Sequence, residues 1–361
     1  MLSRLYIDNY KCFQNFELRL GSEHLFLGPN GTGKTTLFEV IWSLRRFVLG
    51  ESGTHELFPD TSRTRWDKRS RQTFELELEA AGTRYAYRLE VDRDPGDPRP
   101  DIHREILRAG DKVVLESRRG EATFNGPEGK VDRGFASSSR SSLPLAPPGR
   151  FPEVEAFVAS VGSVWSVRVD PLRMVARSEV EAELLNPDLS NFSSWYRSAI
   201  QERSEFAGKV TESLRAIWED LGGLRSVSAG EGVRILKAEW TRPVPASYSL
   251  DELSEGQRAL VGLYAVMHWL EDRDATLLLD EPDNFLALRE IQPLMNALSE
   301  KDRLQRLIIS HHPDVIDLKA RSRGITFERT PEGHVRASRF SSTEASLLPS
   351  EVIARGWDDG K

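Results

Sequence analysis

Gly28-Pro29-Asn30-Gly31-Thr32-Gly33-Lys34-Thr35 decides the fold. The stretch reads G-x4-G-K-[ST], and its flanks suit it. Leu25-Phe26-Leu27 is a short apolar strand leading in, and Leu37, Phe38, Val40, Ile41, Leu44 and Phe47 recur at helical spacing behind it. In that setting the glycines let backbone N–H groups turn inward toward phosphate oxygens, and the helix N-terminus adds a favourable dipole. Lys34 is expected to reach the β- and γ-phosphates of a nucleotide, and the Thr35 hydroxyl to ligate Mg²⁺. Gly28, Pro29, Asn30, Gly31, Thr32, Gly33 and Thr36 complete the expected nucleotide-binding segment. The bland alternative is a glycine turn with an accidental lysine, and the strand and helix on either side argue against it.

Three further segments belong with this loop. Thr276-Leu277-Leu278-Leu279-Asp280-Glu281 is an apolar strand that delivers two carboxylates to its C-terminal tip, where α/β proteins bind ligands. Asp280 is expected to hold Mg²⁺, directly or through water, and Glu281 to orient and polarise an attacking water. Leu253-Ser254-Glu255-Gly256-Gln257 carries an S-x-x-Q capping box, so a helix starts there, with Leu260, Leu263, Met267 and Leu270 on its apolar face. Leu307-Ile308-Ile309-Ser310-His311-His312 is a hydrophobic strand ending in Ser-His.

In chain order, the phosphate loop, Leu253–Gln257, the acidic pair and the Ser-His strand resemble the motifs of ABC-type ATPases. LSEGQ resembles their C-motif, which contacts the γ-phosphate of ATP held by a second subunit. The resemblance assigns that role in trans to Ser254, Glu255, Gly256 and Gln257. His311 resembles the family's switch histidine, with His312 as its neighbour. The catalytic set implied is therefore Lys34, Glu281 and His311, and the cofactors are ATP and Mg²⁺. Asn9-Tyr10-Lys11-Cys12-Phe13 and the stretch Asp280 to Leu288, DEPDNFLAL, are similar to the soluble RecF/SMC/OLD-like branch rather than to transporter subunits. Transporter subunits usually show an aspartate where this chain has Ala287. The family also implies a glutamine that senses Mg²⁺, and Gln72 is the only plausible residue in the right part of the chain. An adenine-stacking aromatic is either Tyr10 or Phe13, unless both are core residues. The basic cluster Arg63, Arg65, Lys68, Arg69 and Arg71 contacts nucleic acid phosphates, completes a partner's active site, or is a solvated loop.

The fold class expected is α/β: a P-loop NTPase head of ABC type, a mixed sheet with an N-terminal antiparallel part, and an inserted strand and helical lobe. Residues 1–91 and 233–340 form the discontinuous head, 92–232 the inserted lobe and 341–361 a C-terminal tail. Phe16, Leu18 and Leu20 alternate as in a strand, and a hairpin turns at Ala81-Gly82 between Phe74, Leu76, Leu78 and Tyr85, Tyr87, Leu89, Val91. Ser137 to Pro148 reads as a mobile loop or linker. From 151 to 222 the pattern is helical, with Phe206, Val210, Leu214, Ile217 and Leu221 in one stripe. Strands recur at 234–240, 276–280, 306–310 and 324–328.

Composition narrows the function classes. With 361 residues, 39% hydrophobic and 29% charged, the chain is globular rather than disordered. A net charge of −7 argues against a nucleic-acid coat or a polybasic membrane protein. One cysteine excludes an internal disulfide and a cysteine zinc site. No apolar run is long enough to span a membrane and no signal-peptide core is present, so the expectation is a cytoplasmic protein without a membrane partner.

The resemblance implies a split site, in which ATP joins two copies as a homodimer and hydrolysis releases them. The short stretch after His311 leaves little room for a nuclease domain. The expectation is thus a sensor or motor subunit in DNA repair or anti-phage defence, with DNA as a partner and a nuclease or toxin as a separate effector. An ABC transporter ATPase subunit bound to a membrane partner is the alternative, and a non-hydrolysing nucleotide-binding scaffold is a third reading.

Overall fold

The computed structural model describes residues 1–93, 96, 99–118, 120–129, 131–342 and 346–356. Strand β1 (Leu2–Asp8) pairs with β2 (Phe16–Arg19); β3 (Glu23–Leu27) leads through the glycine loop into α1 (Lys34–Val48) and the short α2 (Thr54–Leu57). A meander follows: β4 (Gln72–Ala80), β5 (Thr83–Asp92), β6 (Asp101–Ala109), β7 (Lys112–Arg118), β8 (Glu121–Asn125) and β9 (Val131–Phe135). With β1 and β2 it makes an antiparallel eight-stranded sheet of order β2-β1-β4-β5-β6-β7-β8-β9. Its alternation is that of the sequence: Phe74, Leu76 and Leu78 are buried, while Glu75 and Glu77 face outward and pair with Arg4. Ala81 and Gly82 both take positive φ, 48° and 74°, as a tight hairpin turn requires.

The chain continues through α3 (Pro152–Gly162), β10 (Val164–Val167), β11 (Arg177–Ser178), α4 (Phe192–Glu202) and α5 (Phe206–Arg215). Next come β12 (Leu221–Ser228), β13 (Arg234–Trp240), β14 (Ala246–Ser249) and α6 (Glu255–Leu270). Last are β15 (Ala275–Asp280), α7 (Leu288–Ser299), β16 (Leu304–Ile309), α8 (Pro313–Arg323), β17 (Gly324–Arg329), β18 (Val335–Arg339) and α9 (Pro349–Ala354). The second sheet has the order β10-β15-β16-β3-β17-β18, parallel except for the β17–β18 hairpin. Strands β11 to β14 form a small third sheet.

Two hydrophobic cores result. One joins α1 and α3 to the inner face of the antiparallel sheet. The other packs α4, α5, α6 and α7 on the opposite face of the parallel sheet, around a ring cluster of Trp195, Trp269, Phe206, Phe192 and Tyr196. Strand β15 is buried at every residue, so it reads as a continuous apolar run rather than an alternating one.

Three features depart from the expected organisation. The break at residue 92 falls inside a continuous sheet, since β5 runs to Asp92 and pairs with β6. Val164–Val167, inside the stretch expected to be helical, is a strand that extends the parallel sheet beside β15, with Val167 opposite Leu279. The segment 137–148 is anchored: Ser141 Oγ and Ser142 N–H donate to the fully buried carboxylate of Glu105 at 2.6 and 2.8 Å, and Tyr87 donates to the same group at 2.9 Å. A buried carboxylate requires such donors, and this loop supplies two of them. Of the expected tail, α9 packs against α8 and buries Val352, while 343–345 and 357–361 lie outside the described residues.

Candidate functional site

Strand β3 ends at Leu27, and Gly28, Gly31 and Gly33 all have positive φ. At two of them the surroundings also demand glycine. A Cβ on Gly28 would lie 2.3 Å from the carbonyl oxygen of Phe327, and one on Gly33 would lie 2.7 Å from Cys12 Sγ. The loop therefore lies tight against β17 and the 10–13 turn. Lys34, the first residue of α1, is buried, and its ammonium donates to the carbonyls of Gly28 (2.7 Å) and Pro29 (3.0 Å). Burial lowers its pKa, against the opposing pull of Glu281 and Asp280. Those carbonyls mark where the ammonium rests until a stronger acceptor, such as a phosphate oxygen, draws it out.

The parallel register brings the acidic strand level with this loop. Asp280 sits opposite Ile309, and Ile309 opposite Phe26, so the tips of β15, β16 and β3 align. Thr35 Oγ1 lies 3.5 Å from Asp280 Oδ1. Burial pushes the Asp280 carboxyl up from its ordinary range, and Arg168, 4.0 Å away, counters part of that. Glu281 has a left-handed backbone, φ 52°, its N–H held by the Ile309 carbonyl (2.9 Å), and its carboxylate accepts from Asn284 Nδ2 (2.7 Å). Phe285, four residues on, has φ 74°. Two non-glycine residues in this region cost on the order of 1–3 kcal/mol each and cluster where function over-determines the backbone.

The two adjacent histidines divide the work. His311 faces the pocket; partial desolvation, then Lys34, lowers its pKa, which keeps it neutral near pH 7. His312 is the N-cap of α8, its Nδ1 accepting from the Asp314 N–H (3.2 Å). Ser254 caps α6 as its sequence predicts: Ser254 Oγ accepts from Gln257 N–H at 3.3 Å, and Gln257 Oε1 accepts from Ser254 N–H at 3.0 Å. An added Cβ on Gly256 would lie 2.6 Å from the Phe285 carbonyl oxygen, so this first turn rests directly on the loop that follows Glu281.

A pocket of about 460 Å³ gathers Asn30, Gly31, Gly33, Lys34, Thr35, Thr36, Glu281 and His311. None of residues 254–257 lines it, and Ser254 and Glu255 are exposed at the surface. Gln72 does not line it either. It is fully buried, its amide donating to Asn9 O and Ser62 Oγ and accepting from Arg93, so its hydrogen-bonding capacity is spent inside the antiparallel lobe. Tyr10 and Phe13 are core residues, Tyr10 edge-on to Phe58 and Phe74 and Phe13 against Phe16.

The one aromatic among the residues lining the pocket is Trp66. It is 48% exposed, its Nε1 donates to Gln14 Oε1 at 3.1 Å, and its ring packs on Gly333 in the β17–β18 turn. Arg63, itself paired with Asp60 at 2.7 Å, and Arg65 line the same pocket, while Arg69 is held by Asp8 and Asp67, and Arg71 by Asp92, away from it. The sequence cluster is thus two groups with different jobs. A lone tryptophan inside a basic run was the available signal for the pocket group. Arg168 carried no signal at all, because the strand that places it is four residues long.

Among the described residues no cluster of three or more His, Cys, Asp or Glu side chains is arranged to hold a metal ion. Thr35 and Asp280 offer one hydroxyl and one carboxylate side by side, a hard oxygen set that suits Mg²⁺ when water and a nucleotide supply the other ligands.

Comparison with known proteins bears on the fold. Residues 1–70 match the family model of an AAA ATPase domain. A Thermus scotoductus (strain ATCC 700910 / SA-01) protein named OLD nuclease is 23% identical over 354 residues, covering 88% of this chain and 60% of that protein. The chain thus spans less than two thirds of that relative's length. An SMC head crystallised with the C-winged helix domain of ScpA shares the fold, with a TM-score of 0.56 at 13% identity over 93% of this chain and 97% of that one. Taken with the motif order, the mixed sheet and the antiparallel lobe, these likenesses support an ATPase head of the RecF/SMC/OLD-like branch.

Proposed function

We propose that this chain binds and hydrolyses ATP at a site shared between two copies. The observation that carries this is the division of the motifs: the phosphate loop, Glu281 and His311 line one pocket, with Asp280 beside Thr35, and the capped turn Ser254–Gln257 lies outside it with exposed residues. A second copy, turned face to face, brings its Ser254, Glu255, Gly256 and Gln257 to the open side of the bound nucleotide. Free N–H groups at the start of α6 suit a γ-phosphate there.

The residues divide the chemistry. Lys34 and the loop amides hold the phosphates; Glu281 positions the attacking water; neutral His311 donates a hydrogen bond to the γ-phosphate. Thr35 and Asp280 hold Mg²⁺, which when bound neutralises charge on the phosphates. Trp66 takes the base-stacking role expected of Tyr10 or Phe13, with Arg63 and Arg65 beside it. We infer further that hydrolysis gates a nuclease or toxin effector in DNA repair or anti-phage defence. The name of the Thermus relative, OLD nuclease, supports the link to a nuclease. Among the described residues no helix is long and apolar enough to cross a membrane.

The test is Glu281→Gln with ATP and Mg²⁺ in size-exclusion chromatography with light scattering. The variant is expected to accumulate as an ATP-bound dimer that the wild type shows only transiently. A strictly monomeric variant that still binds ATP overturns the shared site.

A further inference from the structure

A second groove, of about 550 Å³, lies at the end of β3 away from the phosphate loop. It runs between β2 and β18, each the terminal strand of its sheet. Its floor is closed by Leu18, Leu20, Ile325 and Phe340, all buried. Its rim carries Arg19, Arg321, Arg323 and Arg339, with the exposed hydroxyl residues Ser322 and Ser338.

The local charge runs against that of the whole chain, which is −7. Two acids line the groove, and both are engaged elsewhere. Glu17 pairs with Arg4 at 2.9 Å, and buried Glu23 accepts from Lys319 at 2.5 Å. Arg19 is 85% exposed and only 3.7 Å from Glu17 at its nearest, and Arg323 is half exposed, 3.9 Å from Glu23. Arg339 is exposed and makes no ion pair among the described residues. Arg321 donates to the Leu347 carbonyl, which fixes one guanidinium on the rim.

This surface is unlike a protein-docking site. The arginines have no exposed aromatic or apolar anchor beside them of the kind that centres a protein hot spot, since every large apolar side chain here is beneath the floor. Apart from the Glu17 carboxylate, which Arg4 holds, what reaches solvent is guanidinium and hydroxyl, the groups that hold phosphodiesters in a sequence-independent way. Helix α8, roughly 16 Å long by its eleven residues, starts just after His311 and ends at Arg323, so one rigid element spans from the pocket to this groove.

We propose that the groove binds the sugar-phosphate backbone of a nucleic acid strand through Arg19, Arg323 and Arg339. The site stands independently of the shared ATP site, and its test uses the full chain without nucleotide.

The experiment is fluorescence anisotropy with a labelled single-stranded DNA of mixed sequence across a salt series. Three phosphate contacts give a slope of log affinity against log salt of roughly −2. Arg19→Ala and Arg339→Ala are each expected to flatten that slope by about 0.7. The double reversal Arg19→Glu/Arg339→Glu, on exposed side chains, is expected to lose about tenfold or more in affinity while its melting temperature holds. Wild-type affinity and slope in these variants overturn the proposal. Competition by polyglutamate of matched charge as effectively as by DNA overturns it too, in favour of an acidic protein segment.

Discussion

Gly256→Ala isolates the contact that ties the trans-acting turn to the acidic strand. The new Cβ would sit 2.6 Å from the Phe285 carbonyl oxygen, about 0.8 Å short of an ordinary 3.4 Å contact. The obstacle is backbone, and Phe285 already has a φ of 74° in a loop closed by the Leu286 N–H to Asp283 carbonyl hydrogen bond. Overpacking of this kind costs about 1–3 kcal/mol. Replacing a helical glycine recovers about 0.5–1 kcal/mol, less in a first turn, so the overpacking wins by about 1–2 kcal/mol. Unfolding entropy of about 2.1 cal/mol/K per residue converts that to a melting temperature lower by about 1–3 °C. Displacement of the first turn of α6 removes the γ-phosphate contact from the partner site, so steady-state ATP turnover is expected to fall at least about tenfold, far more than so small a loss of stability explains. Differential scanning fluorimetry and an ATPase assay read both. A variant that melts higher than the wild type and hydrolyses ATP normally refutes the reasoning, since helix propensity alone would then be acting.

Three other perturbations probe separate parts of the site. Arg168 is the one cation paired with Asp280 among the described residues. Arg168 is largely exposed, so solvent and salt screen its repulsion of a cation held at Asp280 to under about 1 kcal/mol, and Arg168→Ala should lower the Mg²⁺ midpoint for nucleotide binding about threefold. An unchanged midpoint, read with a fluorescent ATP analogue, contradicts the assignment. Trp66→Ala is expected to weaken ATP about tenfold, in line with a base–aromatic stack of about 1–3 kcal/mol, and to leave inorganic tripolyphosphate affinity unchanged in calorimetry. Equal losses for both ligands would remove Trp66 from base recognition. Burial alone would raise the Glu271 carboxyl, but hydrogen bonds from Lys209, Lys301 and His268 hold it at about 2, below its ordinary 4.5. A depressed carboxylate contributes stability above pH 4.5 that is lost as pH falls toward 2, so Glu271→Gln should flatten the acid limb of melting temperature against pH. A limb as steep as that of the wild type would place the acid sensitivity elsewhere.

What was legible in the sequence was local. The glycines of 28–33, the Ser254–Gln257 box and the alternation of Phe74, Leu76 and Leu78 each encode their own geometry within a few residues. The order of the motifs then carried the ABC-type fold. What failed depended on distant neighbours. Ser137–Pro148 reads as a mobile linker because its anchor, Glu105, lies on another strand of the sheet. Val164–Val167 is too short to show a period and becomes a strand only beside β15. Gln72 has the residue type of a Mg²⁺ sensor and the position of a core amide, because Asn9, Ser62 and Arg93 claim both ends of its side chain. Trp66 enters the pocket because the β17–β18 turn, far along the chain, supplies Gly333 for its ring to rest on.

The central claim is that one copy holds the nucleotide and another completes the site. Subunit complementation tests it most directly. Lys34→Ala loses its own phosphate grip but keeps its Ser254–Gln257 turn; Gly256→Ala loses the turn but keeps its phosphate loop. Each variant alone is expected to be inactive. Mixed in equal amounts, they form dimers in which one of two sites is intact, and ATPase activity reappears at a fraction of the wild-type rate. A mixture no more active than either variant alone, with both folded and able to dimerise, contradicts a site shared in trans.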